Sequence, residues 1–251
     1  MPGPMDDRPP PARPFGALLT AARLRTDVHH YAMRVLDALG NAPVMDPDRH
    51  VGVRTLAVGL DPVRVLVFGG GLAVGYGVRT RQEAFDGPLA RHIAASTRRG
   101  VVLENRAVKH VHLAQTAASL GVTGTLTFHV AVWCPSFAEG MTHLRLSGWR
   151  SELHAMIREL RTEQRVPLVL TCMPVPAGLH PAALIARPWV HRLNRVITQV
   201  ADEWDDVVAV DTVPFVPAEI GKPITDAAYF AAVAERIAPA VLAQLRIPAV
   251  R

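Results

Sequence analysis

Three consecutive glycines, Gly69-Gly70-Gly71, follow an apolar run that ends at Phe68, and reactive side chains gather at three later points in the chain. Lys109, His110 and His112 fall together, as do Trp133, Cys134 and Ser136, while Asp226 and Tyr229 open the last apolar segment. An imidazole with an ordinary pKa of about 6.5 suits general acid–base work, so His112 is the first candidate for proton transfer, His110 the second, and Asp226 a carboxylate that would orient His112. Lys109 would hold a carboxylate or phosphate, and Trp133 would stack on an aromatic or cationic ligand. Tyr229 would line the same pocket, and Cys134 would become a nucleophile if a neighbouring histidine lowered its pKa. The glycine amides, at the start of a helix, form an arrangement that binds an anion. Each residue also has a plainer reading. His112 then becomes a pocket-wall histidine bonded to a carbonyl, His110 points outward, and Lys109 is a solvated loop lysine. Cys134 becomes an inert buried thiol, Trp133 a space-filler, and Asp226 a cap or surface residue.

Alternating elements are expected to position these groups. Strand candidates are 64–68, 101–108, 128–133, 168–173 and 207–211; the first, third and last are continuous apolar runs, as expected of parallel strands buried on both faces. Helix candidates are 88–97, 113–120, 148–165, 189–204 and 225–246. In the third of these, Leu153, Met156, Ile157 and Leu160 share one face at helical spacing. The pattern predicts an α/β fold: a doubly wound, flavodoxin-like five-stranded parallel sheet with helices on both faces. Ligands in such sheets bind at the carboxyl ends of the strands, where the glycine run and both later clusters would fall.

Residues 1–14 contain six prolines and are expected to form a disordered arm. Residues 15–60 are expected to form an N-terminal helix and linker packed on the domain, and residues 61–251 the α/β domain itself. A lid or a dimer contact is the alternative role for that helix.

Composition excludes several classes. No run of about 18 apolar residues exists, which argues against a membrane span, and no amino-terminal signal pattern is visible, so a cytoplasmic protein is expected. Two cysteines make no disulfide framework, and no CxxC or HExxH spacing appears, so neither a metal nor any other cofactor is expected. The net charge is +5, but the arginines are dispersed and aromatics make up only 6% of the chain. Nucleic-acid binding needs a concentrated basic face, so the excess charge points instead to an anionic small ligand.

The segment from Val67 to Gly77 is similar to the GDSxAxGxG opening of the SGNH (GDSL) hydrolases, particularly the actinobacterial type. Glu104-Asn105-Arg106-Ala107-Val108 resembles the family's second strand, and Trp149-Arg150-Ser151-Glu152-Leu153 its WRxDL helix. Ala234-Glu235-Arg236-Ile237-Ala238-Pro239 resembles its terminal WAExLAP helix. The resemblance runs from about Val63 to Leu245 and implies a serine nucleophile, an Asp-x-x-His base, and an oxyanion hole from the serine amide, a glycine and an asparagine. Every one of those positions is replaced. The serine falls on Gly71, the glycine on His112, the asparagine on Pro135, and the Asp-x-x-His pair on Gly221 and Ile224. Independently of alignment, no serine precedes Ser96 and no histidine follows His191.

The expectation is therefore a hydrolase fold without hydrolase chemistry. One reading is a protein repurposed to act on a small hydrophobic, acyl or polyketide-like metabolite by proton transfer: cyclisation, isomerisation or condensation. A second is a catalytically dead ligand-binding or partner subunit, as a homodimer or with another protein. A third is an acyl transferase that depends on Cys134.

Overall fold

The computed structural model describes residues 53–57, 60–75, 78–108, 113, 127–136, 140, 145–163, 165–175, 181–214 and 227–245. The strands are β1 (Val53–Ala57), β2 (Val63–Gly69), β3 (Val101–Ala107), β4 (Val130–Cys134), β5 (Leu168–Thr171) and β6 (Val207–Val210). The helices are α1 (Asp86–Thr97), α2 (Leu146–Glu163), α3 (Pro181–Ala201) and α4 (Ala227–Gln244), with a 3-10 turn at Gly71–Val74.

The sheet order is β1-β3-β2-β4-β5-β6. Strands β2 to β6 run parallel, giving the five-stranded sheet that the apolar runs predict. A sixth strand, β1, pairs antiparallel with β3, with Arg54 opposite Glu104. By its sequence this stretch belongs to the expected linker of residues 15–60. The residues Val53 to Ala57 are too short and mixed to stand out alone, and pairing with β3 is what makes them a strand.

Side chains alternate across the sheet, so each strand supplies two cores. On one face Val65, Val67, Val132, Cys134 and Val169 pack under α1 and α4. On the other face Leu66, Phe68, Ala131, Trp133 and Leu170 pack under α2 and α3. Burial on both faces explains why β4, Val-Ala-Val-Trp-Cys, carries no polar residue. The last strand, β6, lies at the edge and is only half-buried.

One helix departs from its expected span. Helix α3 begins at Pro181 and carries Pro188 inside it, whereas the expected start was Trp189. Proline removes one internal hydrogen bond, but Pro188 lies on the exposed side, and Ala186, Val190 and Leu193 hold the helix on the sheet.

Candidate functional site: the glycine turn at the switch point

Strand β2 lies between β3 and β4: the chain passes from β2 to β3 on one side and then crosses back over β2 to β4 on the other, so the strand order reverses here. This is the point where open α/β sheets form a crevice at their carboxyl ends. Gly69 is level with Ala107 on one side and Cys134 on the other. The chain then turns sharply: Gly69 has φ +100°, Gly71 has φ +48°, and the 3-10 turn ends at Gly75 with φ +82°. The turn is closely seated. The Gly70 amide donates to the Cys134 carbonyl at 2.7 Å, the Val108 amide to the Gly69 carbonyl at 2.9 Å, and the Ala73 amide to the Gly70 carbonyl at 3.0 Å.

Two of the glycines are required by what lies opposite. A Cβ on Gly71 would come closer than 3.0 Å to the Pro135 carbonyl oxygen, and one on Gly70 would meet the Ser136 Cβ at 2.8 Å. Real Cβ atoms do not approach that closely, and backbone or a short, buried serine side chain has little freedom to retreat. The turn therefore rests on the Pro135 carbonyl and the Ser136 side chain, with no room for a side chain at either position.

Beneath the turn lies a buried polar cluster that no local sequence pattern marks. Asn105 Nδ2 donates to the Ala73 carbonyl at 2.8 Å and to Asp86 Oδ1 at 2.7 Å. Arg81 Nη1 donates to the same Ala73 carbonyl at 2.9 Å and pairs with Asp86 Oδ2 at 3.3 Å. Asp86 is fully buried, and that burial pushes its carboxyl up to about 6 against the opposing pull of Arg81 and Asn105. Asn105 Oδ1 accepts from the Ala107 amide at 2.8 Å, so its orientation is set.

Solved structures share this architecture. The chain is similar to the lipase Lip_vut3 from a goat rumen metagenome, with a TM-score of 0.60 and 15% identity over 73% of this chain and 100% of that one. It is similar to a carbohydrate acetylesterase family member from Sinorhizobium meliloti, with a TM-score of 0.56 and 15% identity over 74% and 100%. A carbohydrate esterase family 2 enzyme from Corynascus thermopiles (Myceliophthora fergusii) gives 0.59 and 13% over 75% and 68%. The chain has the SGNH-hydrolase fold. No family model and no curated protein matches it.

The resemblance places the family's serine at Gly71. The remaining candidates divide by face. Trp133 and Cys134 are adjacent in sequence but lie on opposite sides of the sheet, and both are fully buried. Trp133 packs against Trp149, with ring centroids 5.9 Å apart. Cys134 faces Asp86, Thr171 and Ala73, and burial pushes its thiol up to about 12. Cys172 is likewise pushed up to about 12 by burial. Tyr229, on the first turn of α4, donates its hydroxyl to the Val213 carbonyl at 3.2 Å, and burial raises its pKa. His110, His112, Lys109 and Asp226 lie outside the described residues.

Among the described residues, no group of three or more His, Cys, Asp or Glu side chains is placed to hold a metal. No helix among them is long and apolar enough to cross a membrane. The polar cluster is not legible in the sequence for a local reason. Asp86 reads as an ordinary first-turn helix acid and Arg81 as a loop cation, and only the crossover brings both against Asn105 of β3.

Proposed function

We propose that this SGNH-fold protein does not hydrolyse esters and instead binds a small hydrophobic or acyl-type, polyketide-like metabolite at the carboxyl edge of its sheet. The observation that carries this reading is the contact of Gly71 with Pro135: the position of the nucleophile is both empty of a reactive atom and filled by backbone. A serine needs its hydroxyl free and aimed at a bound carbonyl, and the seated turn offers neither. The absence of any serine before Ser96 and of any histidine after His191 supports the same conclusion. The Cys134-dependent acyl transferase loses ground, because a fully buried thiol raised to about 12 is almost entirely protonated near neutral pH. Proton-transfer chemistry on the bound metabolite would fall to His112, His110 and Asp226. The positive net charge of +5 favours an anionic ligand.

The test pairs hydrolysis with capture. The protein is incubated with p-nitrophenyl acetate and butyrate and with a fluorophosphonate probe, and its mass is measured. The expected result is no ester turnover above buffer and no adduct. A covalent phosphonyl adduct or steady ester turnover overturns the reading. A metabolite extract is then passed over immobilised wild-type and His112→Ala protein. A compound retained unchanged by both supports binding alone. A product made only by the wild type replaces binding with proton-transfer catalysis.

A further inference from the structure

The Ala73 carbonyl accepts hydrogen bonds from two side chains on different elements, and both of those side chains also hold the same carboxylate. Arg81 comes from the turn before α1 and Asn105 from the central part of β3, and Asp86 of α1 lies between them. Four groups thus close a ring of hydrogen bonds whose only backbone member is the glycine turn itself. Ala73 and Asp86 are fully buried, and the Arg81 side chain is 9% exposed. We propose that Arg81, Asp86 and Asn105 form a latch on the Ala73 carbonyl that holds the glycine turn down on β4, and that release of this latch is the motion that opens the turn. This goes beyond the binding reading and stands whether or not a ligand is found.

Three features would allow the latch to release. The turn has little else to hold it apart from apolar packing of Leu72, Ala73 and Val74, the Gly70 amide bond to Cys134 and the Val108 amide bond to Gly69. Its backbone is glycine at both ends, Gly69 to Gly71 and Gly75, with φ above zero at Gly69, Gly71 and Gly75, which are the positions suited to absorb a hinge rotation. The carboxylate is also the one member of the ring whose charge can change. Among the described residues, the titratable or charged groups that face Asp86 are Arg81 from the preceding turn and the Cys134 thiol from β4, which burial keeps protonated. Asn105 faces it from β3, and helix α4, which packs on α1, buries the uncharged Phe230, Val233 and Ile237 in the adjoining core.

The direction of the pH effect follows from these surroundings. With the turn shut, Asp86 is buried and its carboxyl sits at about 6; lifting the Ala73 carbonyl admits water and returns the carboxyl toward its ordinary value of 3.8. The shut state therefore holds the proton more tightly and is favoured at low pH, and ionisation favours opening. Between about pH 5 and about pH 7.5, these two values predict a roughly tenfold fall in the closing equilibrium of the turn.

Hydrogen exchange read by mass spectrometry or NMR tests this on the full chain. The amides of Leu72, Ala73, Val74 and Gly75 are followed at about pH 5 and about pH 7.5, corrected for intrinsic exchange, with β4 and β5 amides as internal controls. Support is a roughly tenfold loss of protection confined to the turn as pH rises, and a turn already unprotected in Arg81→Met while β4 and β5 stay protected. The proposal is overturned if turn protection is independent of pH, or if it changes only in step with β4 and β5, as for a purely structural cluster. The wild-type pH series needs no variant, so the test survives if Arg81→Met fails to fold.

Discussion

The carbonyl oxygen of Pro135 fills the space into which a side chain on Gly71 would project. The two residues are far apart in sequence, and the contact exists because β2 and β4 are neighbours whose ends are level at Gly69 and Cys134. It decides what the turn can hold.

On the proposed reading, Gly71→Ser is expected to turn over no p-nitrophenyl ester. The substituted residue would keep φ near +48° and press its Cβ against backbone. Left-handed backbone and overpacking each cost about 1–3 kcal/mol, so the variant should lose roughly 2 kcal/mol or more in urea denaturation. Full stability together with measurable ester turnover would show that the turn yields easily.

Asp86 makes a pH-dependent contribution to folding. Its carboxyl is raised from 3.8 to about 6, so the folded protein retains a proton that the unfolded chain releases. The associated stability is present below the unfolded value and is lost as pH rises through about 6. The full effect is about 3 kcal/mol, of which about 2 kcal/mol falls between about pH 4.5 and about pH 7.5. Denaturation curves for wild type and Asp86→Asn at these two pH values should differ in their pH response by that amount. Identical pH responses would mean that Asp86 titrates normally.

Cys134 and Cys172 are expected to resist alkylation. Both thiols are buried and raised to about 12, so little thiolate forms at about pH 8. Iodoacetamide should label neither within an hour in the folded protein and both in denaturant. Rapid labelling of Cys134 in the native protein would revive the acyl-transferase reading.

Trp133→Ala is expected to destabilise without touching ligand capture. Trp133 is fully buried on the α2–α3 side and packs on Trp149. Removing an indole from such a core costs about 3–5 kcal/mol. Trp133→Phe, which keeps most of the packing, should recover much of that loss in thermal melts, and ligand retention should be unchanged in both. Loss of retention in a well-folded Trp133→Phe protein would instead place the indole in the ligand site.

Much of the architecture was legible in the chain because it is written in local patterns. Continuous apolar runs such as Val-Leu-Val-Phe before the glycines and Val-Ala-Val-Trp-Cys later fit strands buried on both faces, and the stripe of Leu153, Met156, Ile157 and Leu160 fits a helix packed on one side. The glycine turn at the end of the first parallel strand, and the lack of a serine there, follow from residue identity alone. What the sequence could not decide were contacts across crossovers. The edge strand β1 exists only by pairing with β3. The two-residue period separates Trp133 from Cys134, but only the packing of helices shows that both faces at that point are closed. Asn105 reaches Ala73 across 32 residues and Asp86 across 19, and Pro135 meets Gly71 only where two parallel strands end level. Local propensity selects elements; the register between strands separated by whole helices is set by global packing, and it is that register that seated the turn and buried the carboxylate beneath it.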